Sequence, residues 1–115
     1  MALDTSELVS QMEAAATAVL KADVTTFRGF SERQLRAIAT QALLIEQGLA
    51  THQITPETQE FFLDSLEDMA LNFARTLRGL LMITIEKVWN ALVGVLWKAI
   101  SDAAGVVLPI PVIGD

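Results

Sequence analysis

Between Pro56 and Pro109 the chain contains no proline, the residue that ends a helix most firmly because it lacks an amide hydrogen and clashes with the preceding turn. Thr55 fits a helix cap, and Pro56 fits the first helical position, where a missing amide costs nothing. Glu57 and Glu60 suit the positive end of the helix dipole. The reading is one helix over residues 56–104. Such a helix would be about 70 Å long, against a diameter of about 35 Å for a compact globule of this chain length. It therefore either bends, with Gly79 the natural place, or protrudes and is covered by another molecule.

Polarity changes along this stretch. Glu60, Asp64, Asp68, Asn72, Arg75 and Gly79 follow one face at helical spacing, and Glu86, Asn90, Gly94 and Lys98 roughly continue it. After Arg78 the polar stripe thins, and the helix is apolar on most sides; a helix of that kind is buried on most sides. A lone membrane span is disfavoured, while insertion as a bundle with Glu86 and Asn90 turned to a shared interior stays open. Glu86 and Lys87 near the centre of residues 79–100 cost ~5–7 kcal/mol on an insertion scale, and the Leu, Ile and Val residues return only ~3–6 kcal/mol. The longest charge-free stretch inside the helix, residues 88–97, is half of what spanning needs. Lying in a membrane interface with Trp89 and Trp97 as anchors stays open.

Two shorter helices precede the long one. The first runs over residues 5–24, capped by Asp4 with Glu7 three residues on, and carries Leu8, Met12, Ala15, Val19 and Ala22 at helical spacing. The second runs over residues 32–50. Ser31 and Gln34 form a capping box there, and Phe30 and Leu35 a hydrophobic staple. Both helices are alanine-rich and read as too short to cover every side of the third. Residues 105–115 form an extended tail, because Pro109 and Pro111 forbid helix. The tail is apolar where termini are usually polar. The chain reads without an internal repeat. The fold class is all-α: two shorter helices, one long and strongly apolar C-terminal helix with its bend near Gly79, and an extended apolar tail. Residues 1–104 make one domain.

Charge narrows the function classes. The net charge is -6, and between Ala37 and Ala74 there is no Lys or Arg, which argues against nucleic acid. Arg28, Arg33 and Arg36 flank the start of the second helix, where they suit solvent, an acidic face or anionic lipid. There is no cysteine, hence no disulfide and no thiolate metal site. The acidic group Glu60, Asp64, Glu67 and Asp68 reads as a solvated face, since carboxylate-bridged metal pairs want Glu-x-x-His and the one histidine, His52, falls in a turn. No cofactor is implied. With no nucleophile–base pairing and no phosphate loop, the chain does not read as an enzyme. The start of the sequence does not read as a signal peptide, since it lacks a basic region and Asp4 and Glu7 arrive early, and the compartment stays open.

The reading that follows is a non-enzymatic helical assembly protein, a homo-oligomer or a docking subunit of a larger particle such as a virion or secretion apparatus. Its contacts would be Leu81, Ile85, Trp89, Leu92, Leu96 and Trp97 on the helix and Leu108, Ile110, Val112 and Ile113 on the tail. One competing reading is a membrane-active protein, pore-forming or peripheral, that inserts residues 79–113. Another is a helical bundle holding an apolar ligand.

Overall fold

The computed structural model describes residues 3–113, and every regular element among them is helical. Helix α1 spans Thr5–Leu20, α2 Glu32–Ala50, α3 Pro56–Thr76 and α4 Met82–Ala104, with a single 3-10 turn over Val24–Thr26 between the first two. The caps fall where the short polar residues put them. The Asp4 carboxylate accepts from the amides of Ser6 and Glu7 at 2.9 and 3.3 Å, and Ser31 Oγ accepts from the Gln34 amide at 3.2 Å. The Thr55 amide donates to Thr58 Oγ1 at 3.0 Å behind Pro56. Each cap satisfies helix-end amides that have no partner within the helix.

The helix expected over residues 56–104 is two helices. Leu77 leaves the helix with an extended backbone, its amide donating to Ala74 O at 3.3 Å. Gly79 then takes φ +82, a conformation glycine adopts without steric cost. Gly79 was the right place, but it makes a full corner rather than a bend. The first helix also ends early, at Leu20 rather than residue 24, because Lys21 turns left-handed at φ 56.

The second corner repeats the first. Thr26-Phe27-Arg28-Gly29-Phe30 leads from the 3-10 turn into α2, and Thr76-Leu77-Arg78-Gly79-Leu80 leads from α3 into α4. Gly29 and Gly79 share nearly the same positive φ, +87 and +82. The chain therefore does contain a repeat, short and masked by divergent helices: two helical hairpins built on one corner. The corners meet. The Arg78 amide donates to Arg28 O at 2.8 Å. A Cβ on Gly29 would stand 1.8 Å from Thr76 O, so glycine is required there twice over. Phe30 packs edge-on against Phe73 at 6.0 Å. Gln34 makes no bond back to the Ser31 amide; its Oε1 lies 3.2 Å from Thr76 Oγ1, whose proton has a shorter acceptor in Phe73 O at 2.7 Å.

The two hairpins pack so that α2 and α4 touch across the centre while α1 and α3 each lie against both of them. Helix α4 thus has helices on three sides. That arrangement explains its nearly all-round apolar sequence. Met12, Leu35, Ile38, Ile45, Leu66, Phe73, Leu92, Leu96, Trp97 and Ile100 form one continuous core, each large side chain contributing about 1.5–3 kcal/mol of burial. The radius of gyration is 13.7 Å and the extents are 41 × 28 × 18 Å, so no helix protrudes. Dividing residues 56–104 at the corner makes α3 the third neighbour of α4, which a three-helix chain would lack.

Candidate docking surface

Most of the helix residues expected at an interface face inward. Trp89, Leu92, Leu96 and Trp97 are buried inside the chain's own bundle. Trp89 Nε1 also donates to Glu67 O at 3.0 Å, tying α4 to α3. Ile85 is half-buried against the core, and Leu81 alone of the six is exposed. Leu81 belongs to a run with Met82 and Ile83, all three more than half exposed. The run sits where α4 leaves the second corner. Its counterpart at the first corner is Ser31-Glu32-Arg33. Met82 and Ile83 escaped the sequence reading because they counted as interior positions of a longer helix. Alignment of Gly79 with Gly29 was the signal that would have placed them at a helix start.

The tail has a defined path. Gly105, at φ 72, ends α4 and reverses the chain, with the Val106 amide returning to Ser101 O at 3.2 Å. From there it runs back toward the start of α4. Leu108 is buried in the core. Pro109, Ile110 and Pro111 border a cleft of about 390 Å³ together with Pro56, Leu63 and Glu67 of α3 and Trp97 of α4. Asn90 then clasps the end at two points: its Nδ2 donates to Ile113 O, and its Oδ1 accepts from the Ile113 amide at 2.9 Å. The tail therefore covers the side of α4 that no helix covers. Of its four expected contact residues, Leu108 faces inward and Ile110, Val112 and Ile113 keep exposed surface. Val107, absent from the expected set, is 92% exposed.

Glu67, half-buried beneath this path, has its carboxyl pushed above the ordinary range, first by desolvation and then by the neighbouring charges of Asp64, Asp68 and Glu60. Glu13 on α1 is raised for the same leading reason, with Glu32 and Asp23 adding repulsion. No group of three or more His, Asp or Glu residues among those described is arranged to hold a metal ion, and His52 lies exposed in the turn at φ 63. A second cleft, of about 340 Å³, opens between α1 and α4, lined by Leu8, Val95 and Ala99 and by the charged Asp4, Glu7, Lys98 and Asp102. No helix among the described residues is long and apolar enough to cross a membrane. Comparisons with protein-family models, with curated proteins and with solved structures find no match to this chain.

Proposed function

We propose that the chain is a non-enzymatic helical assembly module that associates with further copies of itself through its C-terminal tail. The observation that carries this reading is a pinned apolar ridge. Leu108 anchors the tail from inside and Asn90 clasps it at Ile113, while Val107, Ile110 and Val112 turn toward solvent. An extended segment already held in place loses little conformational freedom on docking. Its outward apolar side chains gain by leaving water, and its free backbone edge can pair with another extended segment. Four of the six helix residues that the sequence suggests for this role, Trp89, Leu92, Leu96 and Trp97, are committed to the core. The contact proposed here is thus narrower than the sequence implied and leaves the monomer fold intact. A module of this kind suits a structural subunit of a larger particle.

Light scattering after size exclusion, in buffer without detergent, tests the reading. The expected result is a concentration-dependent mass above that of the monomer. Val107→Asp should return it to monomer with unchanged helicity, because Val107 contributes almost nothing to the core. Asn90→Ala, which frees the end of the ridge, should weaken association about tenfold, the equivalent of one lost pair of hydrogen bonds. A chain that stays monomeric at high micromolar concentration, or an assembly indifferent to Val107→Asp, contradicts the proposal.

A further inference from the structure

We infer that the end of the bundle where the two corners meet is a docking tip for a bilayer surface bearing anionic lipid. Leu81, Met82 and Ile83 would enter the boundary between headgroups and acyl chains, with the surrounding cations on the lipid phosphates. This inference goes beyond self-association and uses different residues.

Three observations carry it. The first is how charge is distributed. Every lysine and arginine except Lys98 falls within residues 21–36 or 75–87, where the only carboxylates are Asp23, Glu32 and Glu86. Those two segments hold both corners and the helix ends that flank them, and the Arg78 amide bond to Arg28 O holds the corners together. The opposite end carries Asp4, Glu7, Glu57 and Asp102. A protein of net charge -6 is repelled by an anionic surface in most orientations, but one polarised in this way is steered corner-first.

The second is that all but one of these cations are outside any ion pair among the described residues. The ion pairs among the described residues are Arg36 with Glu32 and Lys98 with Asp102. Arg28, Arg33, Arg75, Arg78 and Lys87 are exposed and take part in neither. The third is the apolar tip itself. The corners share one backbone plan, yet Ser31-Glu32-Arg33 at the first is answered by Leu81-Met82-Ile83 at the second. Ser31 caps α2 through its hydroxyl, whereas Leu81 occupies the cap of α4 with no side-chain bond to give. Folding would be served better by a polar residue at position 81, since a capping oxygen stabilises a helix start. The aliphatic run is therefore not explained by the fold. An exposed aliphatic run at the cation-rich end of the bundle matches the interfacial layer of an anionic bilayer, where lipid phosphates meet hydrocarbon. Nucleic acid would use the cations and leave the aliphatic run in water.

Flotation of the full chain with vesicles tests this at low and at physiological salt. Vesicles of phosphatidylcholine alone are compared with an equimolar mixture of phosphatidylcholine and phosphatidylglycerol. The expected result is binding to the mixed vesicles that weakens with salt, with little binding to the neutral ones. Leu81→Asp should abolish flotation while keeping or raising thermal stability, because aspartate supplies the missing cap. The double variant Arg28→Gln with Arg78→Gln should bind about thirtyfold more weakly. Val107→Asp should bind mixed vesicles like the unaltered chain when the protein is dilute enough to be monomeric, which separates this tip from the tail ridge. Absence of flotation, equal binding to neutral vesicles, indifference to Leu81→Asp, or equally tight binding to a DNA duplex would overturn the inference.

Discussion

Gly29→Ala should destabilise the fold by about 3–5 kcal/mol, while Gly79→Ala, at the equivalent place in the other corner, should cost only about 1–2 kcal/mol. Both glycines hold a positive φ that a side chain disfavours. They differ in what stands opposite. A Cβ at Gly29 meets Thr76 O at 1.8 Å, a backbone atom at the end of α3 with no freedom to retreat, whereas a Cβ at Gly79 meets nothing within 4 Å. Relieving the clash at Gly29 means parting the two corners and straining the bond from the Arg78 amide to Arg28 O and the Thr76–Gln34 contact. Against the 5–15 kcal/mol typical of whole domains, that is a large share of stability. Urea unfolding followed by helical circular dichroism measures both variants. Equal, small losses at the two positions would mean that the corners do not touch.

Trp97→Ala should cost about 3–5 kcal/mol and act on the monomer. Trp97 is 2% exposed and is the largest fully buried side chain in the protein. Its removal leaves a void on the side of α4 that also borders the tail cleft. A tryptophan serving an interface between subunits behaves differently: its loss dissociates the assembly and leaves each subunit folded. The two cases part cleanly in a thermal melt at low protein concentration, where a core role predicts a much lowered Tm and an interface role an unchanged one.

These two positions also mark where the sequence was informative and where it was not. Asp4, Ser31 and Thr55 announce helix starts because short polar residues at those places have one strong local use; all three stand at helix caps, Asp4 and Ser31 accepting through their side chains and Thr55 donating its amide to Thr58 Oγ1. Helix ends were harder. Lys21 ends α1 by turning left-handed, a conformation that residue type does not advertise. At Gly79 apolar residues continue at helical spacing on both sides, so periodicity runs straight through a corner. Only the match of Thr76-Leu77-Arg78-Gly79-Leu80 to the earlier corner discloses it. That one missed break governed the functional reading, because α4 looked over-apolar for two neighbours and has three helices and a tail around it. The tail's apolar composition was plain, but its path depends on Asn90 meeting Ile113 across the length of α4, a long-range pairing with no local trace. Gln34 shows the converse: the side chain of a strong local motif, the capping box, lies against Thr76 of α3 instead.

Everything proposed for the surface presupposes that the chain buries the apolar face of α4 by itself. Its two tryptophans both lie on that helix, and it has no tyrosine, so intrinsic fluorescence reports on α4 alone. Acrylamide quenching of that emission, followed as the protein is diluted until light scattering reports only monomer, gives the most direct test. Burial within one chain predicts blue-shifted emission and weak quenching that stay constant through the dilution. Emission that reddens, and quenching that climbs toward that of free indole as copies separate, would show the tryptophans sheltered by neighbours rather than by their own bundle.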